Sequence, residues 1–138
     1  MDDLHIDSDP AASDLQNLEA RIYEFNVAAT GYDDGEYLSI FLKDDAGGLR
    51  AGLSGHTWGG CCEIKLLWIC DDERGRGLGE RMLQAAENEA RRRGCVQITL
   101  SSHSFQAPDF YRKQGYRDVF SIADYPRAHA NLHFVKAL

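Results

Sequence analysis

Three glycines fall within five residues, Gly75, Gly77 and Gly79, with Arg74 and Arg76 interleaved and a helical run behind them. Glycine in a helical segment costs roughly 1 kcal/mol relative to alanine, so this clustering implies that something must approach the backbone. A strand passing through a glycine-rich turn into a helix start is a general anion-binding device. Unpaired N–H groups point outward there and the helix dipole is positive, which stabilises a phosphate or pyrophosphate. The glycines remove side chains that would block close approach, and Arg74 and Arg76 add charge. Spacing excludes two phosphate motifs. No glycine is followed by Lys-Ser or Lys-Thr, so this is not a P-loop, and the pattern is GxGxG rather than GxGxxG. By itself the turn indicates only an anion near a helix.

Other reactive residue types are scattered. The cysteines, Cys61, Cys62, Cys70 and Cys95, form no CxxC pair and have no histidine at zinc-finger spacing. They read as reduced thiols, most of them in apolar strands. His129 and His133 stand four apart, but in loop and strand context, where that spacing does not converge on a metal as it does on a helix. No metal site is read. Ser102-His103 lacks a G-x-S-x-G elbow, which removes a hydrolase of that type.

These residues need elements to hold them. Residues 13–31 carry Leu15, Leu18, Ile22, Phe25 and Val27 at roughly helical spacing, with Ser13 as the expected N-cap and Gly31 as the stop. Strands are expected over 37–44 and 49–58, joined through "DAGG" as a hairpin, and over 61–70. Leu78 to Arg93 reads as a helix with Leu78, Met82, Leu83, Ala86 and Ala90 on its inner face and a basic last turn, ending at Gly94. A strand over 95–100, a short helix in 107–115 with Pro108 in its first turn, and strands "YRDVFSI" and "NLHFVKAL" complete the chain. The order is β-α-β-β-β-α-β-α-β-β, the first strand being the least defined: a mixed α/β sheet with a strand–helix–strand crossover in its middle.

Composition bounds the reading. The chain has 138 residues, 43% hydrophobic and 27% charged, which fits a single globular domain over 1–138. No apolar run reaches the ~18 residues of a membrane span, and the acidic start "MDDLHIDSDP" does not resemble a leader, so a cytoplasmic location is expected. Net charge is −7 but polarised: residues 1–73 hold 16 acidic and 4 basic side chains, and residues 74–138 hold 6 and 11. The acidic total argues against nucleic acid, which needs a basic face. It allows a polyanion on the second half and a cation near the first.

Arg74-x-x-Gly77-x-Gly79 after a long strand, followed by a helix, a short strand and "FYRKQGY", resembles the GNAT (GCN5-related N-acetyltransferase) family over residues 35–138. Both motifs match in order and spacing. The segment before residue 35 is shorter than in many members, with one helix where two are common. The resemblance implies a twisted, mostly antiparallel central sheet with flanking helices, splayed between its fourth and fifth strands. Acetyl-CoA would lie in that gap. The fourth strand's end (Leu67, Trp68, Ile69) would offer backbone groups to the pantetheine arm. Arg74, Gly75, Arg76, Gly77, Leu78 and Gly79, with Glu80, would hold the pyrophosphate. Tyr111 stands where the family has a tyrosine near the CoA sulfur, and Phe110 and Lys113 would lie near the arm and the adenosine phosphates.

Acetyl transfer from a thioester to an amine needs a neutral nucleophile, a polarised carbonyl and a stabilised thiolate. Tyr111 is the expected general acid. The base is open among Glu63, at the spacing where histone-acetyltransferase-like members place theirs, His103 near the mouth of the gap, His56 and a water chain. The acceptor would be a small-molecule amine. Glu19, Glu24, Asp33, Asp34 and Glu36 favour a cationic one such as a polyamine, an aminoglycoside or a lysine side chain, with Trp58, Tyr32 and Tyr125 as aromatic walls. Two alternatives stand beside this: a CoA-binding module without turnover, and an enzyme acting on peptide amines. The last strand is a candidate homodimer contact.

Overall fold

A computed structural model describes residues 1–138. It divides into two compact units, Met1–Asp33 and Asp34–Leu138.

The first unit is helix α1 (Ala12–Thr30) preceded by eleven residues without regular structure. The helix begins one residue before the expected cap. Ala11 is the N-cap, with no side-chain hydrogen bond, so Ser13 lies inside the first turn. Gly31 ends it as expected, in the left-handed conformation with φ 78°, donating its N–H to the Val27 carbonyl at 2.7 Å. No side chain of α1 is buried, and Leu15, Leu18, Ile22 and Phe25 are exposed. No strand precedes α1.

The second unit is built on a six-stranded sheet in the order β1-β2-β3-β4-β6-β5. Its elements are β1 (Glu36–Lys43), β2 (Leu49–Trp58), β3 (Cys61–Ile69), α2 (Leu78–Arg92), β4 (Gln97–His103), α3 (Pro108–Lys113), β5 (Arg117–Ala123) and β6 (Ala130–Ala137), with a 3-10 turn at Asp71–Glu73. All pairings are antiparallel except β3 with β4, which the α2 crossover joins in parallel. The hairpin turn closes through Asp44, whose carboxylate accepts the Ala46 and Gly48 N–H groups. Strand alternation sends Leu38, Leu53, Cys62, Ile64, Ile98, Leu100 and Phe134 to one face. There they meet Met82, Leu83, Ala86 and Ala90 of α2 and Tyr111 of α3 in one core. Arg93 ties the end of α2 back to the sheet, donating to the Tyr37 carbonyl at 2.9 Å and Thr57 Oγ1 at 3.0 Å.

Two irregularities open the sheet. Strands β3 and β4 pair only over Cys61–Glu63 and Gln97–Thr99, then diverge. The divergence begins where β3 bulges: Ser54 faces Leu66 and Gly55 faces Ile64, leaving Lys65 as an extra residue. A bulge bends and twists its strand, carrying Leu66–Ile69 away from β4. Gly55 makes this possible, because a Cβ there would lie 2.0 Å from the Glu63 carbonyl oxygen. The gap is the expected one. It falls between the third and fourth strands of this chain because no strand precedes α1.

Candidate active site

The gap is a groove of about 1020 Å³. One wall is Lys65–Ile69 of β3 and the turn to α2; the other is Ser101–His103 of β4, the turn after it and α3. Beyond Glu63, β3 has no strand on its β4-facing edge, so its backbone polar groups there are available to a ligand.

Of the residues singled out by sequence, the groove collects Leu67, Trp68, Ile69, Arg74, Gly75, Gly77, Leu78, Gly79, Glu80, His103, Phe110 and Tyr111. Arg76, Lys113 and Glu63 are not on its walls. It also includes Glu73, Ser101, Phe105 and Gln106, which the motifs did not point to.

The three glycines of the turn do two different jobs. Gly75 and Gly77 have φ values of 74° and 77°, with nothing within 4 Å of a would-be Cβ. Their need is conformational as well as one of access. Gly79 is different: a Cβ there would sit 3.1 Å from Ile69 Cδ1 and 3.4 Å from Phe110 Cζ, so it lets the first turn of α2 pack against the end of β3 and α3. Gly77 is the N-cap of α2, and no side chain caps the helix. The N–H groups of Leu78, Gly79 and Glu80 therefore have no intrahelical partner. The Arg74 guanidinium braces the turn, with Nε donating to the Ile69 carbonyl at 2.9 Å and Nη1 paired with Asp71 at 2.8 Å. Arg50 pairs with Glu73 at 2.6 Å, which holds that carboxyl below its usual range.

The opposite wall is built from side chains. Strand β4 runs to His103, three residues past its expected end at 100, because Ser101, Ser102 and His103 keep pairing with His133, Leu132 and Asn131 of β6. Ser102 is buried on the core side, so its neighbour His103 faces the other way. The turn after it is locked reciprocally: the His103 N–H donates to Gln106 Oε1 at 2.7 Å and the Gln106 N–H donates to the His103 carbonyl at 2.8 Å. His103 Nδ1 lies 3.0 Å from the Tyr125 carbonyl oxygen, in the β5–β6 turn. A carbonyl only accepts, so Nδ1 carries the hydrogen and the neutral ring has its lone pair on Nε2. Tyr111 packs among Phe110, Tyr116 and Phe134, and burial alone pushes its hydroxyl up to about 12.

Glu63 and His56 stand on the same face as His103 but elsewhere. They are cross-strand neighbours, flanked in register by Tyr37 and Thr99, at the closed apex where β3 and β4 still pair. His103 lies four residue steps along β4 from Thr99, roughly 13 Å of strand. The four cysteines are free, and burial pushes the Cys62 thiol up to about 11. No group of three or more His, Cys, Asp or Glu side chains is arranged to hold a metal, and no helix is long and apolar enough to cross a membrane.

A strand edge opened by a bulge, an uncapped glycine-rich helix start and a phenol across the gap define a class, and comparison with known proteins agrees with it. The chain matches the model of the acetyltransferase (GNAT) family over residues 3–116. It is 38% identical over 104 residues to the blasticidin-S acetyltransferase of Streptomyces morookaense, covering 75% of this chain and 76% of that one. Among solved structures, an acetyltransferase from Bacillus cereus superposes with a TM-score of 0.78 at 29% identity over 98% of each chain. A protein from Agrobacterium tumefaciens gives 0.87 at 24% identity over 99% of each, a likeness of fold. The chain belongs to the GNAT family and is an N-acetyltransferase with acetyl-CoA as donor.

Proposed function

We propose that this enzyme moves the acetyl group directly to the primary amine of a small molecule while donor and acceptor are bound together. Support for a small acceptor comes from the relative named for blasticidin S. Bound acetyl-CoA supplies the activated thioester. The backbone from Arg74 to Gly79 and the N–H groups of Leu78, Gly79 and Glu80 fit its diphosphate, and the open edge of β3 fits the amides of its arm.

The observation that carries the chemistry is the pairing of His103 Nδ1 with the Tyr125 carbonyl. It leaves Nε2 as a free acceptor on a groove wall, able to take the proton an amine loses as its nitrogen bonds to the acetyl carbon. Glu63 is less well supplied for that role, since it lies at the apex outside the groove lining. Tyr111 acts differently from a full general acid. With its hydroxyl at about 12, it is a weaker acid than a thiol of ordinary pKa ~8.5. It therefore donates a hydrogen bond to the sulfur as the C–S bond breaks, without surrendering its proton. Released CoA takes its proton from solvent.

The family match spans both compact units, which supports treating 1–138 as one acetyltransferase domain. A cytoplasmic location and a homodimer through the last strand belong to the same reading. The test is release of free thiol from acetyl-CoA across a panel of small primary amines and amine-bearing peptides. Transfer to small amines is expected. CoA binding without thiol release from any amine would mean a silent module, and release with peptides alone would move the acceptor class.

A further inference from the structure

Flat rings cluster around the candidate base His103, and of them His103 and Phe105 line the groove. The rings of His103 and Phe105 lie parallel within 4° at 5.5 Å between centroids, and the Tyr125 ring stands 5.3 Å from His103, tilted by 36°. His129 meets Phe105 edge-on at 5.0 Å, packing against it from a second turn. These residues come from two turns, 103–106 and 124–129, each held by its own hydrogen bonds: the reciprocal pair of His103 and Gln106, and the His129 N–H donating to the Pro126 carbonyl at 2.9 Å. Phe105 is nevertheless 57% exposed and Tyr125 54% exposed. Two pre-oriented aromatic faces thus stand open beside His103, one of them on the groove wall.

We propose that the acceptor carries a planar aromatic or heteroaromatic ring that stacks on Phe105, with Tyr125 standing beside His103, and presents its amine to His103. This rests on the acetyl-transfer reading and narrows its substrate class. Rings held in fixed planes lose little freedom when a second ring lies on them, and stacking one base-sized ring on an aromatic side chain contributes roughly 1–3 kcal/mol. That corresponds to roughly 5- to 150-fold in affinity. A saturated ring of the same size and charge is at least as hydrophobic but puckered, so it gains burial without the face-to-face contact.

The experiment compares benzylamine with cyclohexylmethylamine, and phenethylamine with 2-cyclohexylethylamine. Two readouts are taken on wild type and on the double variant Phe105→Leu, Tyr125→Leu: kcat/KM for thiol release, and amine affinity by calorimetry in the presence of CoA. Wild type should favour the aryl member of each pair at least 10-fold in both readouts, and the ratio should fall to about 1–2 in the variant. A wild-type ratio near or below one, or a ratio unchanged in a variant that keeps its melting temperature, overturns the proposal. If the aryl preference appears in binding and is lost in the variant while no amine releases thiol, the ring site stands and the transfer reading falls. Should the double variant not fold, Phe105→Leu alone carries the test, with an expected drop in the ratio of threefold or more.

Discussion

Along Arg74–Glu80 the groove is bounded by main chain: two glycines at positive φ, an uncapped helix start, and an arginine turned back onto the Ile69 carbonyl. Along Ser101–Gln106 it is bounded by side chains, with His103 set by a carbonyl from another turn and by two neighbouring rings. On the proposed reading, the difference follows from the two ligands the walls would serve. A diphosphate is one unchanging group, and backbone N–H groups with a helix dipole bind it whatever the side chains nearby. An amine acceptor has a shape of its own, and only side chains can discriminate it while also moving its proton.

If the walls are independent in this way, damage to one should leave the other's readout intact. The largest kinetic effect is expected from His103→Ala. It should lower kcat about 10²- to 10⁴-fold, the range for a positioned general base, while the affinity for CoA stays within about twofold. A matching fall in CoA affinity would mean the walls are coupled and the division is wrong. Glu63→Gln offers the contrast: as an apex residue it should change kcat less than about fivefold, and a loss as large as that of His103→Ala would return the base to Glu63.

A smaller effect is expected from Tyr111→Phe, about 10- to 100-fold in kcat, because one hydrogen bond to developing charge is lost. The pH dependence sharpens this. A hydroxyl held at about 12 keeps its proton through the working range, so kcat should show no decline between pH 8 and 10 that Tyr111→Phe abolishes. Folding raises the group above its ordinary value of 10, so its contribution to stability is present below pH 10 and is lost as pH rises toward 12. Chemical denaturation from pH 9 to 12 should therefore fall less steeply for the phenylalanine variant. Equal slopes would mean that Tyr111 is not buried in solution.

The two walls were also unequally readable from sequence. The wall proposed for the donor is local. Arg74, Gly77 and Gly79 sit within six residues, and "FYRKQGY" brings Phe110 and Tyr111, so motif and spacing were enough to collect most of it. Even there the separate reason for Gly79 required the Ile69 and Phe110 contacts, which come from distant parts of the chain. The wall proposed for the acceptor depends on register. Glu63, His56 and His103 looked equivalent as base candidates, and only the short β3–β4 pairing separates an apex pair from a groove residue. Phe105 gave no signal of its own; a ring two residues after a histidine becomes a wall only once β4 extends to His103 and turns. The end of β4 lies three residues beyond its expected place because pairing with β6 extends it past local preference. The cap of α1 at Ala11 rather than Ser13 has a local origin, since α1 buries no side chain and its first bonds run to the Ala11 carbonyl.

The claim on which the rest depends is that the backbone from Arg74 to Gly79 holds the diphosphate of the donor. It is tested most directly by calorimetric affinities of wild type and Gly77→Val for CoA and for pantetheine, which lacks the phosphates. Valine disfavours φ 77° and adds a side chain where the turn is open. Wild type should bind CoA at least about 100-fold more tightly than pantetheine, roughly 2.7 kcal/mol, and Gly77→Val should lose most of that difference while keeping its pantetheine affinity. A wild-type preference of less than about threefold, or a preference that survives intact in a folded Gly77→Val, would contradict it.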